Sequence, residues 1–228
     1  MDMTYIVFML PALILAGVAS MLTQGTFERY SRVRASSGLT GAQAARLLLD
    51  AQGLGNVRIE PTRGFLSDHY DPVSRTLRLS PSVCASSSLS AIGVACHEAG
   101  HALQHASLYA PLALRSALVP VTQLGSNLSW FLLLGGILLN WPGLILAGVA
   151  LFSLAVVFAL ITLPVEWNAS SRAKDLMVRA GIVTSQERPH AAAVLNAAFL
   201  TYVASAVSAI LTLLYYLFRF GLLGRRDD

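Results

Sequence analysis

The chain has 228 residues, of which 55% are hydrophobic and only 12% are charged, with a mean hydropathy of +0.61. A soluble globular domain fits such a composition poorly, so an integral membrane protein is expected. The formal net charge of +4 suits contact with anionic lipid headgroups, but the basic residues are too dispersed to indicate a nucleic-acid partner.

Four apolar segments are predicted to span the membrane. The first has no A-x-A-like cleavage site and its basic residues follow the apolar run, so a retained anchor is expected instead of a cleaved signal. The second and third are joined by the short turn Asn140-Trp141-Pro142, and the fourth is dense in small residues that suit close helix packing. The predicted spans are 4–22, 124–139, 142–165 and 197–218.

The segment between the first and second spans has the size of one small domain and is predicted to mix helix and strand. Thr40 caps a helix at 41–52, and Gly53 ends it. Alternation and turn residues predict strands at 56–61, 65–70 and 75–80, the last two paired as a hairpin. An edge of this hairpin could hold an extended peptide by backbone hydrogen bonds, but the hairpin could equally do no more than cover the helix that follows it.

His97-Glu98-Ala99-Gly100-His101 fits the HExxH pattern. It lies in a segment, 89–106, that is rich in alanine and leucine and follows three serines able to cap a helix. Residues i and i+4 of a helix share one face, so both imidazoles can reach one metal ion, and Glu98 can reach a water on that metal. The pattern also arises by chance in ordinary helices, but two histidines and a glutamate are costly in an apolar helix unless a partner satisfies them. The motif therefore predicts a catalytic zinc site.

Catalytic zinc commonly has three protein ligands, so a third is expected beyond His97 and His101. Glu166 is the best candidate, because an acidic residue at the end of a long apolar run needs a reason. The alternative is a carboxylate at the N-terminus of a helix that begins near Glu166, stabilised by the helix dipole. His105 is a rival ligand, but eight residues, or about 12 Å of helix rise, separate it from His97, which is too far to share one ion on a straight helix.

Several segments together resemble the bacterial membrane-bound neutral zinc metallopeptidases of the YugP type, and this resemblance covers almost the whole chain. More distantly, EWNASSRA resembles the E-F-x-A-D-x-x-A segment of the HtpX-like and CAAX-processing membrane zinc proteases, whose glutamate is a metal ligand. This resemblance implies that Glu166 is the third ligand. Ser170 stands where those relatives carry aspartate, so the support of the metal histidines must differ here or come from elsewhere. The segments are GLTGAQAARLLLDAQGL, DHYDPVSRTLRLS, HEAGHALQHA, LVPVTQLGSNLSW, TLPVEWNASSRA and VLNAAFLTYVASA.

The expected fold is a predominantly α-helical integral membrane protein with about four transmembrane helices. A small α+β, zincin-like catalytic part is expected to be formed by 24–120 and 166–196, within a single metallopeptidase domain. The three ligand candidates must lie on one side of the membrane, and the hairpin of the second and third spans returns the chain to the side it left.

Basic residues indicate which side of the membrane this is. Of the 16 Lys and Arg residues, nine lie between the first and second spans and four between the third and fourth, so 13 share the catalytic side. By the positive-inside rule, the active site faces the cytoplasm of a bacterial cell from its plasma membrane. Arg219, Arg225 and Arg226 resist this assignment, because they fall on the far side if the fourth segment spans fully.

The expected function is a zinc metalloendopeptidase that acts on membrane or membrane-proximal proteins, with one zinc per chain and Glu98 as general base. Tyr202, His69 and Arg172 are candidates for stabilising the oxyanion, although an interfacial tyrosine, a hairpin histidine and a headgroup arginine are ordinary structural features. The expected partners are a protein or peptide substrate and the lipid bilayer, and a homo-oligomer or a regulatory membrane partner is left open. The alternative functions are a non-proteolytic zinc-binding membrane scaffold and a channel or transporter, which would need polar residues inside the spans.

Overall fold

The computed structural model describes residues 3–64 and 67–222 of the chain. Its described part is mostly helical and includes four helices that are long and apolar enough to cross a membrane, which confirms the predicted multi-pass character. The four helices are α1 (Met3–Ser31), α5 (Ala110–Leu138), α6 (Pro142–Arg179) and α7 (Arg188–Arg219). Each helix is longer than its predicted span: α1 and α6 continue past the C-terminal end of the span, and α5 and α7 begin well before its N-terminal end.

The described residues divide into two compact units. The first unit contains 3–18, 113–164 and 201–222, and the second contains 19–112 and 165–200. The first unit holds most of the apolar length of the four long helices. The second holds all the described strands and the shorter helices, so it contains the HExxH motif.

Within the first unit, α5 and α6 form the predicted helical hairpin, and Asn140 adopts the left-handed conformation with a φ of 49° between them. The absence of a side chain at Gly148 lets the two helices approach closely, since a Cβ there would lie 2.8 Å from the Leu133 side chain. Ser129 Oγ donates a hydrogen bond to the Gly148 carbonyl at 2.8 Å. A polar side chain in an apolar helix is thereby satisfied by the neighbouring helix.

The second unit contains a three-stranded sheet in the order β1-β3-β2. β2 and β3 form the predicted antiparallel hairpin, with Tyr70 opposite Leu77, although 65–66 lie outside the described residues. β1 pairs with β3 in parallel, so β3 is central and the edges of the described sheet are β1 and β2. The sequence did not predict this parallel pairing. The strands are β1 (Arg58–Pro61), β2 (His69–Asp71) and β3 (Thr76–Leu79).

Asp71 ties the turn of the hairpin together. Its carboxylate accepts hydrogen bonds from Ser74 Oγ at 2.6 Å, from Arg78 Nη1 at 3.1 Å and from the Val73 amide at 2.9 Å. The bonds from Ser74 and Arg78 hold the pKa of Asp71 well below its usual range, because they stabilise the ionised form.

Two shorter helices, α2 (Gly41–Ala51) and α4 (Leu89–Ala106), begin at caps that the sequence predicts, and a single turn, α3 (Pro81–Cys84), precedes α4. Thr40 forms a capping box at α2, and Ser88 Oγ accepts a hydrogen bond from a backbone amide in the first turn of α4. Most residues of α4 are buried. The core around it includes Leu48, Leu49, Leu77, Leu79, Leu89 and Ile92.

Helix α6 begins at Pro142 and continues through Pro164 to Arg179. Glu166 therefore lies deep inside a helix, and the alternative that it sits at the N-terminus of a helix beginning nearby is wrong. Pro164 and the change from apolar to polar residues imitate a helix boundary, but one missing backbone donor need not end a helix that is held by packing. Gly181, with a φ of 67°, follows the end of α6 in the left-handed conformation that glycine favours.

Candidate metal centre

Helix α4 places His97 and His101 one turn apart on one face, as the HExxH spacing predicts. Their rings meet edge to face with centroids 4.8 Å apart. The His97 side chain keeps 12% of its exposure, whereas His101 and Glu98 are buried. This helix thus holds two imidazoles and one carboxylate in a mostly buried place.

Helix α6 supplies the third group. The Glu166 side chain is 1% exposed, and its Oε2 lies 3.2 Å from His97 Nε2 and 3.6 Å from His101 Nε2. One ligand atom from each of the three residues lies within 4.8 Å of the others. Ligand atoms placed about 2.0–2.2 Å from a tetrahedral zinc are about 3.3 Å apart, so this donor set fits zinc in chemistry and in spacing.

Each metal histidine has a hydrogen-bond partner on its other ring nitrogen. His97 Nδ1 and Ser170 Oγ are 3.0 Å apart, so this serine of α6 is the hydrogen-bond partner of His97. A hydroxyl both donates and accepts, and this bond alone does not fix which nitrogen of His97 carries the hydrogen. His101 Nδ1 lies 2.9 Å from Gln104 Oε1, a buried amide on the next turn of α4.

A chain of hydrogen bonds from α6 fixes the tautomer of His101. Arg172 Nε can only donate, and it bonds Asn168 Oδ1 at 2.9 Å. Gln104 Nε2 donates to the same Asn168 oxygen at 3.1 Å and to the Val165 carbonyl at 2.7 Å. Gln104 therefore turns its oxygen to His101, whose Nδ1 must carry the hydrogen. The Nε2 lone pair of the neutral imidazole is then directed to the metal position.

Gln104, the hydrogen-bond partner of His101 in the candidate centre, is a residue that the sequence did not single out. The available signal was its spacing, because it follows His97 by seven residues and His101 by three and so shares their helix face. Asn168 accepts hydrogen bonds from both Gln104 and Arg172, so it has a structural place behind the ligand candidates.

The carboxylates make the centre attractive to cations. Burial lowers the pKa of His101, but the neighbouring Glu166 carboxylate and the charge of Glu98 together raise it more, so this pKa lies above its ordinary value. The negative field that favours a proton on His101 also favours a metal cation. Cys96, beside the motif, is buried, and burial raises its pKa to about 12, so it remains a thiol.

Gly100 allows α4 and α6 to approach closely at the site. A Cβ at Gly100 would lie 2.6 Å from the Ala169 carbonyl oxygen, which is too close for any side chain without movement of the backbone. Ala169 lies between Glu166 and Ser170 on α6. The glycine of HExxH here therefore sets the distance between the helix that carries the histidines and the helix that carries their partners.

The remaining predicted site residues lie elsewhere. His105 is outside the three-residue group; its Nδ1 lies 2.9 Å from Tyr70 OH, so it is a hydrogen-bonded, partly exposed histidine. His69 is exposed on β2, and its Nδ1 lies 2.8 Å from the Ser67 carbonyl. Tyr202 is partly buried on α7. The oxyanion roles of Tyr202 and His69 stay predictions.

Apolar helices able to span a membrane, together with two histidines of an HExxH helix and a glutamate of α6 that converge on one point, define a multi-pass membrane protein of the zinc metallopeptidase class. A family model described as "Putative neutral zinc metallopeptidase" matches residues 5–221, and the chain belongs to this family. It is 48% identical over 226 residues to the "Putative membrane protease YugP" of Bacillus subtilis (strain 168), with 99% of this chain and 100% of that protein covered. No solved structure matches the chain.

Proposed function

We propose that the chain is a membrane zinc metalloendopeptidase that hydrolyses peptide bonds of membrane or membrane-proximal proteins. The observation that carries this proposal is the convergence of His97, His101 and Glu166, with the buried Glu98 carboxylate next to the first ligand. The name of the Bacillus relative, a membrane protease, supports a proteolytic activity. In this proposal, β1 to β3 and α4 form a zincin-like catalytic part.

The chemistry divides between the metal and the side chains around it. His97 Nε2, His101 Nε2 and a Glu166 oxygen would hold zinc, whose Lewis acidity makes water a nucleophile near neutral pH and polarises a peptide carbonyl. Glu98 takes a proton from the water as the water oxygen attacks the carbonyl carbon. Glu98 then returns a proton to the amine nitrogen as the C–N bond breaks. Gln104 keeps the His101 imidazole in its binding orientation.

The oxyanion that forms during attack needs a hydrogen-bond donor of its own. Tyr202 is one proposed donor through its hydroxyl. His69 is the other, and because its Nδ1 donates to the Ser67 carbonyl, it can offer a second hydrogen only as the imidazolium. Arg172 is less suited, since its Nε is already engaged with Asn168.

The site is proposed to face the cytoplasm from the bacterial plasma membrane. The support is the positive-inside rule, with 13 of 16 basic residues on the loops of the catalytic side. Arg219 is in the last turn of α7, and Arg225 and Arg226 lie outside the described residues. A cysteine introduced at exposed Ser36 should be labelled by an impermeant maleimide only after the cells are opened, and labelling of intact cells would reverse the assignment.

The general-base role is tested with Glu98→Gln in the purified full-length protein in detergent micelles. Because Glu98 is not a ligand in this proposal, the variant should keep one zinc per chain and lose cleavage of unfolded casein by at least about a hundredfold. Glu28→Gln, the same change at an exposed position on α1, should cleave normally. Unchanged activity in Glu98→Gln would exclude this mechanism, and stoichiometric zinc without proteolysis of any peptide by the unaltered protein would favour the scaffold alternative.

A further inference from the structure

A cavity of about 290 Å³ opens beside the C-terminal half of α4 in the second unit. No carboxylate is among the described residues that line it. Its apolar wall includes Leu54, Val57 and Ala102, and its ionisable lining groups are Tyr70, Arg75 and His105. A lining of this kind suits a ligand group with a short apolar stem and a negative charge.

The cavity shares a helix face with the proposed general base. Ala102 and His105 follow Glu98 by four and seven residues, which places all three on one side of α4. The corresponding rises along the helix are about 6 Å and about 10 Å. An extended peptide advances by about 3.3 Å per residue, so the cavity is two or three residues from a bond placed at Glu98.

The polar groups of the cavity are positioned by one another. Tyr70 OH and His105 Nδ1 are 2.9 Å apart. When the hydroxyl donates, neutral His105 carries its hydrogen on Nε2, where it is available to a ligand. Burial raises the pKa of Tyr70, the charge of Arg75 lowers it and the charge of Asp71 raises it, so the phenol lies in the field of both charges. The Asp71 carboxylate is itself held by Arg78 at 3.1 Å.

Arg75 is a cation without a counter-charge in the described structure. Arg58 and Arg78, on the neighbouring strands, both have carboxylate partners, whereas within residues 3–64 and 67–222 no ion pair or side-chain hydrogen bond involves Arg75. Its backbone is fixed in the left-handed region with a φ of 48°, and its carbonyl accepts a hydrogen bond from the Arg58 amide at 3.2 Å. The turn before β3 thus places a positive charge that makes no described ion pair at the rim of a cavity with no acid among its described lining residues.

We propose that this cavity is a substrate subsite that binds an acidic side chain two or three residues from the cleaved bond, an inference that rests on the proposed peptidase function. Arg75 supplies the opposite charge, His105 supplies a hydrogen bond, and the apolar wall packs against the methylene groups of a glutamate. The carboxylate could also come from a peptide C-terminus, and the two sources are separable with amidated peptides.

Binding is measured first, without cleavage, in full-length zinc-loaded Glu98→Gln protein in micelles. The probes are fluorescent ten-residue peptides of alanine and leucine, with a C-terminal amide and one central Glu or Gln. The Glu peptide should bind about tenfold more tightly, as a hydrogen bond between charged groups predicts. Adding Arg75→Gln should abolish this preference, while Arg75→Lys and the matched control Arg58→Gln should retain it.

Equal binding of the two amidated peptides would overturn the proposal, and so would a preference that survives Arg75→Gln. Binding that needs a free C-terminus instead of the central Glu would assign the cavity to a terminal carboxylate and likewise overturn the side-chain subsite. Arg75→Lys serves as the conservative control. It changes the side chain at the same backbone position as Arg75→Gln does but keeps the positive charge.

Cleavage of a defined peptide library by the unaltered protein separates this proposal from the one on which it rests. Enrichment of Asp or Glu at one fixed position, two or three residues from the cut, is expected, and Arg75→Gln should raise KM about tenfold with little change in kcat. Cleavage without acidic preference would remove the subsite and leave the peptidase. A Glu preference in binding, with no cleavage of any peptide, would remove the peptidase and leave the cavity as an acid-binding site.

Discussion

Gln104→Leu tests whether the hydrogen bond behind His101, from its Nδ1 to Gln104, controls the affinity for the metal. Leucine has a similar volume but cannot accept the hydrogen of His101 Nδ1, which Gln104 Oε1 meets at 2.9 Å. An orphaned buried donor costs about 1–3 kcal/mol. Loss of a partner to a ligating histidine typically weakens metal affinity by about 10- to 100-fold, which corresponds to about 1.4–2.7 kcal/mol. The two figures agree, so we expect a zinc Kd raised by that factor.

The assay is competition for zinc between the purified full-length protein and a fluorescent chelator. Gln52→Leu makes the same change at an exposed glutamine after α2 and should leave the affinity unchanged. Gln104→Glu keeps an acceptor for His101 while losing amide donors, so it should bind zinc more tightly than Gln104→Leu. A folded Gln104→Leu protein whose zinc Kd is within threefold of the unaltered protein would refute the reasoning.

Three further outcomes are expected. Glu166→Ala should lose most of its bound zinc by elemental analysis, whereas His105→Ala should keep it, because only Glu166 lies among the ligand atoms. Gly100→Ala should lower the free energy of unfolding by about 1–3 kcal/mol, and hence the unfolding temperature, because the added Cβ pushes α6 away. The same displacement should weaken zinc binding. The folded pKa of Asp71 is below its unfolded value, so its stabilisation is present above about pH 4 and fades as the pH falls further; Asp71→Asn should unfold earlier at pH 7 and show a flatter dependence of the unfolding temperature on pH.

Each of these has its own contradicting result. Zinc lost only from His105→Ala would move the third ligand to α4. Gly25→Ala, on α1 where nothing lies within 4 Å of the new Cβ, is the matched control for Gly100→Ala, and equal effects of the two changes would remove the crowding argument. If the unfolding temperature of Asp71→Asn depends on pH in the same way as that of the unaltered protein, this carboxylate does not cause the loss of stability at acidic pH.

The parts of the fold that the sequence predicted depend on residues that are close together along the chain. Thr40 and Ser88 cap their helices through bonds that span three residues, and HExxH places its histidines by helical periodicity alone. The four spans follow from uninterrupted apolar length. In such cases the interacting groups are neighbours along the chain, so no knowledge of the tertiary structure is needed.

What could not be predicted depends on pairing between distant segments. The parallel pairing of β1 with β3 joins a strand that precedes the hairpin to the second strand of the hairpin, and no turn signal specifies it. Gln104 gains its role only because Val165 and Asn168 of α6 lie beside it. The sequence also suggested a helix that begins near Glu166, whereas α6 continues through Pro164, because packing can maintain a helix where local propensity would end it.

The hydrogen bonds that orient His101 come from Gln104 and α6 and need no metal, so we expect folding and metal loading to be separable events. A chain inserted in a membrane poor in zinc would be expected to hold its ligands ready, so that its activity follows the supply of the ion and not the rate of synthesis. A chelator should then silence the protein reversibly, and returning zinc should restore it without refolding.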